Sequence, residues 1–312
     1  MSISNEHNLI IVLGPTATGK TRFAAVLANA INAEIISADS RQVYKRMDLG
    51  TGKDYDDYIV NGEKVPFHLV DTHEPGYKYN VYEFQSDFFK TYEAIQNRGK
   101  EVVLCGGTGM YIESVTKGYK LISVPVNEAL REELKGKSLS ELEKVLSSYK
   151  RLHNRSDTDT VKRAIRAIEI AQYYQDNEIE EIPLPQISPL FFGIAFDRDM
   201  RRERITARLQ KRVEQGLLFE VETLLESGVK PEDLIYYGLE YKFLTQHIQG
   251  QLSFDEMVDK LNTAIHQFAK RQMTWFRKME REGVKINWID GSLSEQERLN
   301  EAIMVINKKP GR

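Results

Sequence analysis

The sequence has little of what would specialise a protein at first sight. A single cysteine, Cys105, leaves no internal disulfide to form, and a reducing compartment, the cytoplasm, is the expectation. No apolar run approaches the roughly 18 residues of a membrane span. The first 8 residues place no basic segment before an apolar stretch, which argues against a secretory signal. Neither sign of charge is in surplus: 43 basic side chains face 46 acidic ones, for a net charge of −3. Any contact with nucleic acid must therefore rest on local clusters. Internal repeats, low-complexity segments and an Asn-Lys-x-Asp guanine-reading segment are absent from the sequence. What remains is 312 residues, 41% hydrophobic and 29% charged, an ordinary globular composition. The length allows roughly two domains of about 150 residues.

Five consecutive apolar residues, 9–13, read as a buried parallel strand. Gly14, Pro15, Thr16, Ala17, Thr18, Gly19, Lys20 and Thr21 follow and match G-x-x-x-x-G-K-[ST]; residues 22–31 then read as a helix. Strand, glycine loop and helix in that order are the setting a phosphate-binding P-loop requires. Backbone N–H groups of such a loop converge on one concavity, where the helix dipole also favours negative charge. Lys20 adds a point charge for terminal phosphates, and the Thr21 hydroxyl is placed to ligate Mg²⁺. The site is expected to hold a di- or triphosphate. A chance match in a glycine-containing turn is the competing reading, and the complete context disfavours it.

Residues 34–38 form a second short strand that ends at Asp39. Ligands of open parallel sheets sit beyond the carboxyl ends of the strands, so Asp39 is expected in the crevice of the P-loop. It reads either as a general base or as a plain turn former. Residues 65–71 give a short candidate strand whose last residue, Asp71, is placed like a Walker-B acid, although a structural loop-strand is the preferred reading. A helix is expected over 79–98, closed by Gly99. A third strand over 101–105 runs into Gly106, Gly107 and Thr108, where glycines permit close backbone approach to a ligand. The Thr108 hydroxyl reads equally well as a phosphate contact and as a helix cap. Cys105 reads as a buried small hydrophobe rather than a catalytic thiol.

Between 119 and 186 strand signals vanish, and helices are expected at 127–134, 139–149 and 158–174 before a proline-rich exit at 182–189. The fold class is thus α/β: a P-loop NTPase-like parallel sheet flanked by helices (1–118 and 187–312), with an all-helical insertion domain (119–186). Within the insertion Lys162, Arg163 and Arg166 share one broad helical face, either a basic patch or solvated surface. Residues 190–196 return to the buried-strand pattern. A helix over 199–227 carries Arg201, Arg204, Arg208 and Lys211 along one side, opposite Ile205, Leu209, Val213 and Leu217. Such a stripe suits an anion-binding wall. A long helix over 254–281 has a basic, aromatic C-terminal half, fit for stacking and phosphate contact or simply for core packing. Residues 284–289 read as a last strand.

Taken in order, several blocks go beyond a generic P-loop. The P-loop itself, Asp39-Ser-Arg-Gln-Val-Tyr44, Met47-Asp-Leu-Gly-Thr51 and Gly106-Gly-Thr-Gly-Met-Tyr111 open the series. Arg163-Ala-Ile-Arg-Ala-Ile-Glu169, Arg204-Ile-Thr-Ala-Arg208 and Ala269-Lys-Arg-Gln-Met-Thr-Trp-Phe-Arg277 continue it. Together they resemble the tRNA dimethylallyltransferase family, over residues 9–289. The resemblance implies transfer of a dimethylallyl group from dimethylallyl diphosphate to the exocyclic N6 amine of the adenosine at position 37, beside the anticodon. It implies Asp39 as general base, Thr108 on the bridging oxygen of the leaving diphosphate, and Arg208 with Lys20 and a Thr21-bound Mg²⁺ on its charge. Ser40, Arg41 and Gln42 resemble the segment touching the target nucleotide, and Arg131, Lys162, Arg163 and Arg166 a tRNA-contacting set. The implied partners are the tRNA anticodon stem-loop and the prenyl donor, with the chain a cytoplasmic monomer.

The sequence departs from the family's pattern in places. Its usual Gly-Thr-Ala-Lys-Pro stands here as Gly50-Thr-Gly-Lys-Asp54, and its His-His-Leu-Ile-Asp as Phe67-His-Leu-Val-Asp71. Lys162 replaces a glutamine, and Gly238-Leu-Glu-Tyr-Lys242 replaces a Gly-Tyr-Arg/Lys segment. The alternative function is a P-loop small-molecule kinase using ATP. It would need a convincing Walker-B acid and an arginine-bearing lid, a role open to the insertion.

Overall fold

The computed structural model describes residues 6–149, 158–177 and 183–308. Readings that fall on the extreme N-terminus, and on the first residue of the proline-rich exit, lie outside the described residues. The chain divides into two compact units, Met1–Tyr119 with Pro185–Arg312, and Lys120–Leu184. No helix of the described residues is long and apolar enough to cross a membrane.

The first unit opens with β1 (Leu9–Leu13), α1 (Lys20–Ile31) and β2 (Ala33–Ser37). A small antiparallel hairpin of β3 (Ile59–Val60) and β4 (Glu63–Lys64) precedes β5 (Phe67–His68). Then come α2 (Val81–Gln96), β6 (Glu101–Gly106) and α3 (Gly109–Thr116). A capping box of Asn80 and Glu83 starts α2, satisfying backbone N–H groups that the first turn leaves open. Four of these strands join two later ones, β7 (Pro189–Ala195) and β8 (Ile286–Asp290), in the sheet that carries the site. The six-stranded sheet has the order β5-β2-β6-β1-β7-β8, and every pairing is parallel. Central β1 registers Val12 beside Cys105 of β6 on one flank and beside Phe192 on the other.

All five residues of β1 are fully buried, as a strand covered on both faces demands. Ile10, Val12, Ile35, Val103 and Phe192 join Phe23, Val26, Leu27 and Ile31 of α1 in one cluster. The alternate residues Ile11, Leu13, Ile36 and Leu104 are equally inaccessible on the opposite face. The candidate strand at 65–71 shrinks to the two residues of β5. Leu69 (φ 60°) and Asp71 (φ 55°) enter the left-handed region, and extended pairing stops there.

The second unit holds α4 (Glu128–Leu134), α5 (Leu139–Tyr149) and α6 (Val161–Asp176). Leu130, Leu134, Leu142, Leu146, Ala164 and Ile168 form its core. Asn127 and Thr160 cap α4 and α6 through side-chain oxygens.

The first unit resumes with β7 (Pro189–Ala195), α7 (Arg198–Glu214) and α8 (Leu217–Glu226). The single helix expected over 199–227 is therefore two. Gly216, at φ 98°, takes a backbone that other residues reach only with strain, and the chain turns there. Then follow α9 (Pro231–Tyr236), α10 (Leu239–Ile248), α11 (Phe254–Arg281), β8 (Ile286–Asp290) and α12 (Glu295–Ile306). Of these, α9, α10 and α12 went unread in the sequence, because their apolar faces are short and supplied by neighbours from distant parts of the chain. In α11 Phe276 is core, whereas Phe268 is exposed.

Candidate active site

The carboxyl ends of three adjacent strands, β2, β6 and β1, carry Asp39, Thr108 and the P-loop. Strands in a sheet lie about 4.8 Å apart, so these groups share one crevice. In the loop, Ala17 (φ 63°) and Gly19 (φ 73°) adopt the left-handed conformation that turns successive N–H groups inward. The Thr18 hydroxyl donates to Pro15 O at 2.9 Å and is spent inside the loop. Two long-range tethers hold the outside. Arg204 Nε of α7 donates to Ala17 O at 3.0 Å. Gln272 of α11, which is buried, accepts from Thr16 N at 2.9 Å and donates to Gly107 O at 3.0 Å, so it ties the P-loop to the β6–α3 turn. Burial at the helix start lowers the Lys20 pKa; the nearby Asp39 charge opposes that, and Arg208 and Arg212 reinforce it.

Asp39 and Thr108 are locked together by backbone. Ala38 N donates to Cys105 O at 2.7 Å, and Thr108 N to Ala38 O at 3.3 Å. A side chain on Gly106 would start 2.3 Å from Ala38 O, so only glycine admits this contact. The Thr108 hydroxyl does not cap α3; it accepts from Ser40 N at 3.2 Å. One Asp39 oxygen accepts from Arg41 N at 2.9 Å, leaving Oδ2 with no hydrogen bond among the described residues. Arg41 itself lies 5.4 Å from the Tyr236 ring centre. Gln42 is buried with its amide committed, accepting from Ser37 Oγ at 3.0 Å and donating to Gly52 O at 3.2 Å. Cys105 lies beneath the loop, where burial pushes its thiol up to about 12 and keeps it protonated.

From the basic stripe of α7, Arg204 and Arg208 turn toward the loop, and Arg212 joins them. Arg208 Nη2 donates to Asp54 Oδ2 at 2.7 Å, and Arg212 Nη2 lies 3.6 Å from the same oxygen. Burial, with Arg208 alongside, lowers the Arg212 pKa to about 10. The Asp71 carboxylate accepts from Lys53 Nζ and the Tyr55 hydroxyl. Among the described residues no group of three His, Cys, Asp or Glu side chains could hold a metal ion. Thr21, half-buried at the loop's end, fits a different pattern. Mg²⁺ commonly takes one protein oxygen and fills its shell with water and substrate phosphate.

In the second unit the basic residues divide. Arg131 binds Glu169 through two bonds, Nε at 2.6 Å and Nη2 at 3.1 Å. Arg166 donates to Glu169 at 2.8 Å and to Val124 O at 2.7 Å. Both are thus built into that unit around a fully buried carboxylate. Arg163 pairs with Asp159 on the exposed first turn of α6, and Lys162, also exposed, is its neighbour. Reading the sequence missed Gln272 and Arg212 as parts of the site, and placed Arg204 only in a stripe suited to anion binding. The only signal was their place in basic segments of α7 and α11, and periodicity does not say which cations turn inward.

Fold and site together define a P-loop NTPase-like α/β protein. Residues 42–279 match the family model described as IPP transferase. The tRNA dimethylallyltransferase 1 of Parabacteroides distasonis is 58% identical over 304 residues, covering 97% of this chain and 99% of that protein. A tRNA dimethylallyltransferase 2 of Bacteroides fragilis is 59% identical over 295 residues, 95% of this chain and 96% of its own. Among solved structures, the full-length tRNA isopentenylpyrophosphate transferase from Bacillus halodurans superposes with a TM-score of 0.70 at 28% identity, covering 96% and 95% of the two chains. A eukaryotic dimethylallyltransferase acting on tRNA gives a TM-score of 0.78 at 20% identity over 97% of this chain and 80% of that one, a likeness of fold. The chain belongs to the IPP transferase family and is therefore a transferase. The kinase alternative finds no support among these relatives.

Proposed function

We propose that this chain transfers a dimethylallyl group from dimethylallyl diphosphate to the N6 amine of the adenosine at position 37 of tRNA. The observation that carries the reading is the convergence of Asp39, Thr108 and the P-loop at three neighbouring strand ends, in a chain more than half identical to tRNA dimethylallyltransferases. The P-loop N–H groups and Lys20 hold the donor's diphosphate. An adenine amine is a weak nucleophile because its lone pair is delocalised, so a base is useful. The N6 nitrogen attacks the allylic carbon, the C–O bond breaks, and its electron pair leaves with the diphosphate. Asp39 Oδ2 takes the amine proton. Thr108 faces the bridging oxygen, and Lys20 and Arg208 stabilise charge that grows only as the bond breaks, which lowers the barrier rather than merely tightening binding. Bound at Thr21, Mg²⁺ would supply further neutralisation of the diphosphate. The target base lies in an RNA loop and must be splayed into the crevice.

We place the enzyme in the cytoplasm as a monomer, with the anticodon stem-loop as its RNA partner. Incubation with unmodified tRNA and labelled dimethylallyl diphosphate tests the reading. Label in tRNA at position 37 is expected; no label, alongside ATP turnover with a small acceptor, would overturn it in favour of a kinase.

A further inference from the structure

The guanidinium placed on the leaving diphosphate is already occupied by an anion of the chain's own. Loop 48–54 is held firmly: the Glu220 carboxylate accepts from Asp48 N at 2.8 Å, Leu49 N at 2.7 Å and Gly50 N at 3.0 Å. Gln42 fixes Gly52 O from the other side. The loop is thereby pressed against α7. A Cβ on Gly52 would lie 2.6 Å from Arg212 Nη2 and 2.9 Å from Arg208 Nη2, so no larger residue fits without displacing them. Two residues on, Asp54 reaches back and shares its Oδ2 between these two guanidinium groups.

The charge count of this corner is unequal. Two arginines share one half-exposed carboxylate, and Arg212, 92% buried by its residual exposure of 8%, has an Nη2 with no hydrogen-bond partner. A buried guanidinium with an unmade bond is a standing demand for an anion. Asp57 and Glu240 lie near enough to feel this field. Burial pushes the Asp57 carboxyl up to about 6 and raises that of Glu240, and among the described residues neither forms an ion pair with Arg208 or Arg212.

We propose that Asp54 is a resident counter-ion for the Arg208–Arg212 pair, which the donor's diphosphate must displace, and that Arg212 is the second guanidinium of the diphosphate site. The inference rests on the diphosphate reading given above. In the empty enzyme Asp54 keeps both arginines aimed at the crevice, and on donor binding a doubly charged phosphate oxygen cluster replaces a single carboxylate. Asp54 thus sets a ceiling on donor affinity, and eases departure of the diphosphate after transfer by offering Arg208 its partner back.

Calorimetric titration of the full chain with inorganic pyrophosphate and Mg²⁺ tests this without the prenyl reaction. Asp54→Asn keeps size and removes charge; it is expected to bind pyrophosphate about five-fold more tightly, the upper range for losing an exposed competing ion pair. Asp54→Ser should do the same. In an Arg208→Gln background the gain should fall to about two-fold or less, because the contact it acts through is gone. Unchanged or weaker binding in both Asp54 variants, or an equal gain with and without Arg208, overturns the proposal and leaves the diphosphate reading standing. Absence of pyrophosphate binding in every protein, the unaltered chain included, overturns both.

Discussion

Asp39 and Thr108 are far apart in sequence, yet backbone bonds from Ala38 N to Cys105 O and from Thr108 N to Ala38 O, with the bond from Ser40 N to the Thr108 hydroxyl, put them in one place. The last of these orients the hydroxyl toward the crevice and away from the helix it would otherwise cap. With Asp39 as base, Asp39→Ala should lower turnover by about 10²- to 10⁴-fold, the usual worth of a positioned proton acceptor. Affinity for tRNA should stay within about a few-fold, since one short side chain contributes little to a phosphate-dominated interface. Unaltered turnover in a single-turnover assay would remove Asp39 from the mechanism. Gln272 acts at one remove. Gln272→Leu leaves Thr16 N–H and Gly107 C=O without partners, at a cost of about 1–3 kcal/mol each if water does not replace it. The expected result is a rise in KM for the prenyl donor, larger than the change in KM for tRNA. A lowered Tm with both KM values unchanged would make the tether structural only.

At the scale of elements, α7 shows how a helix can be read correctly in sequence and misjudged in role. Its cations were legible as a stripe, but the stripe is divided: Arg204 holds Ala17 O, Arg208 holds Asp54, and Lys211 is exposed. The helix ends at Glu214, before the turn at Gly216, rather than continuing to 227, a distinction that the uninterrupted apolar spacing on its other side concealed. In α6 the same division appears. Arg166 belongs to the buried Glu169, so a test of RNA contact belongs on Lys162 and Arg163 alone. Replacing both with Gln should weaken tRNA binding and reduce the slope of log K against log salt by about one to two. An unchanged slope would mark that turn of α6 as solvated surface.

At the scale of the whole molecule, the helical unit is held by a small apolar core and one buried charge cluster. Burial alone would raise the Glu169 pKa, but bonds from Arg131, Arg166 and Asn127 N outweigh it and leave the carboxyl below the ordinary value of 4.5. A carboxyl depressed in the folded state stabilises fully above its unfolded pKa and loses that contribution as pH falls through the folded one. The unit should therefore keep its helices down through pH 4.5 and lose them in more acid solution, followed by hydrogen exchange of residues 128–149 and 161–176 in the full chain. Glu169→Gln should remove about 1–2 kcal/mol, because bonds from two part-exposed guanidinium groups lose their charged acceptor. A variant as protected as the parent would show that the apolar core suffices.

The sequence by itself determined β1, the P-loop and α1, because an unbroken apolar run, a fixed glycine spacing and a helical period are local signals that need no partner. It also determined the ends of β2 and β6, and with them Asp39 and Thr108, since parallel strands fully buried on both faces are written as short apolar blocks. Tertiary structure alone decided which cations point inward, which carboxylates are already spent and which amide ties the loop down. Arg208 and Arg212 lie on a face of α7 that packs against loop 48–54 whereas Lys211 is exposed, and Gln272 meets Thr16 N some 256 positions away. Such partners are set by the folding of distant segments onto one sheet edge, where the unmet hydrogen bonds of one element select the side chains of another.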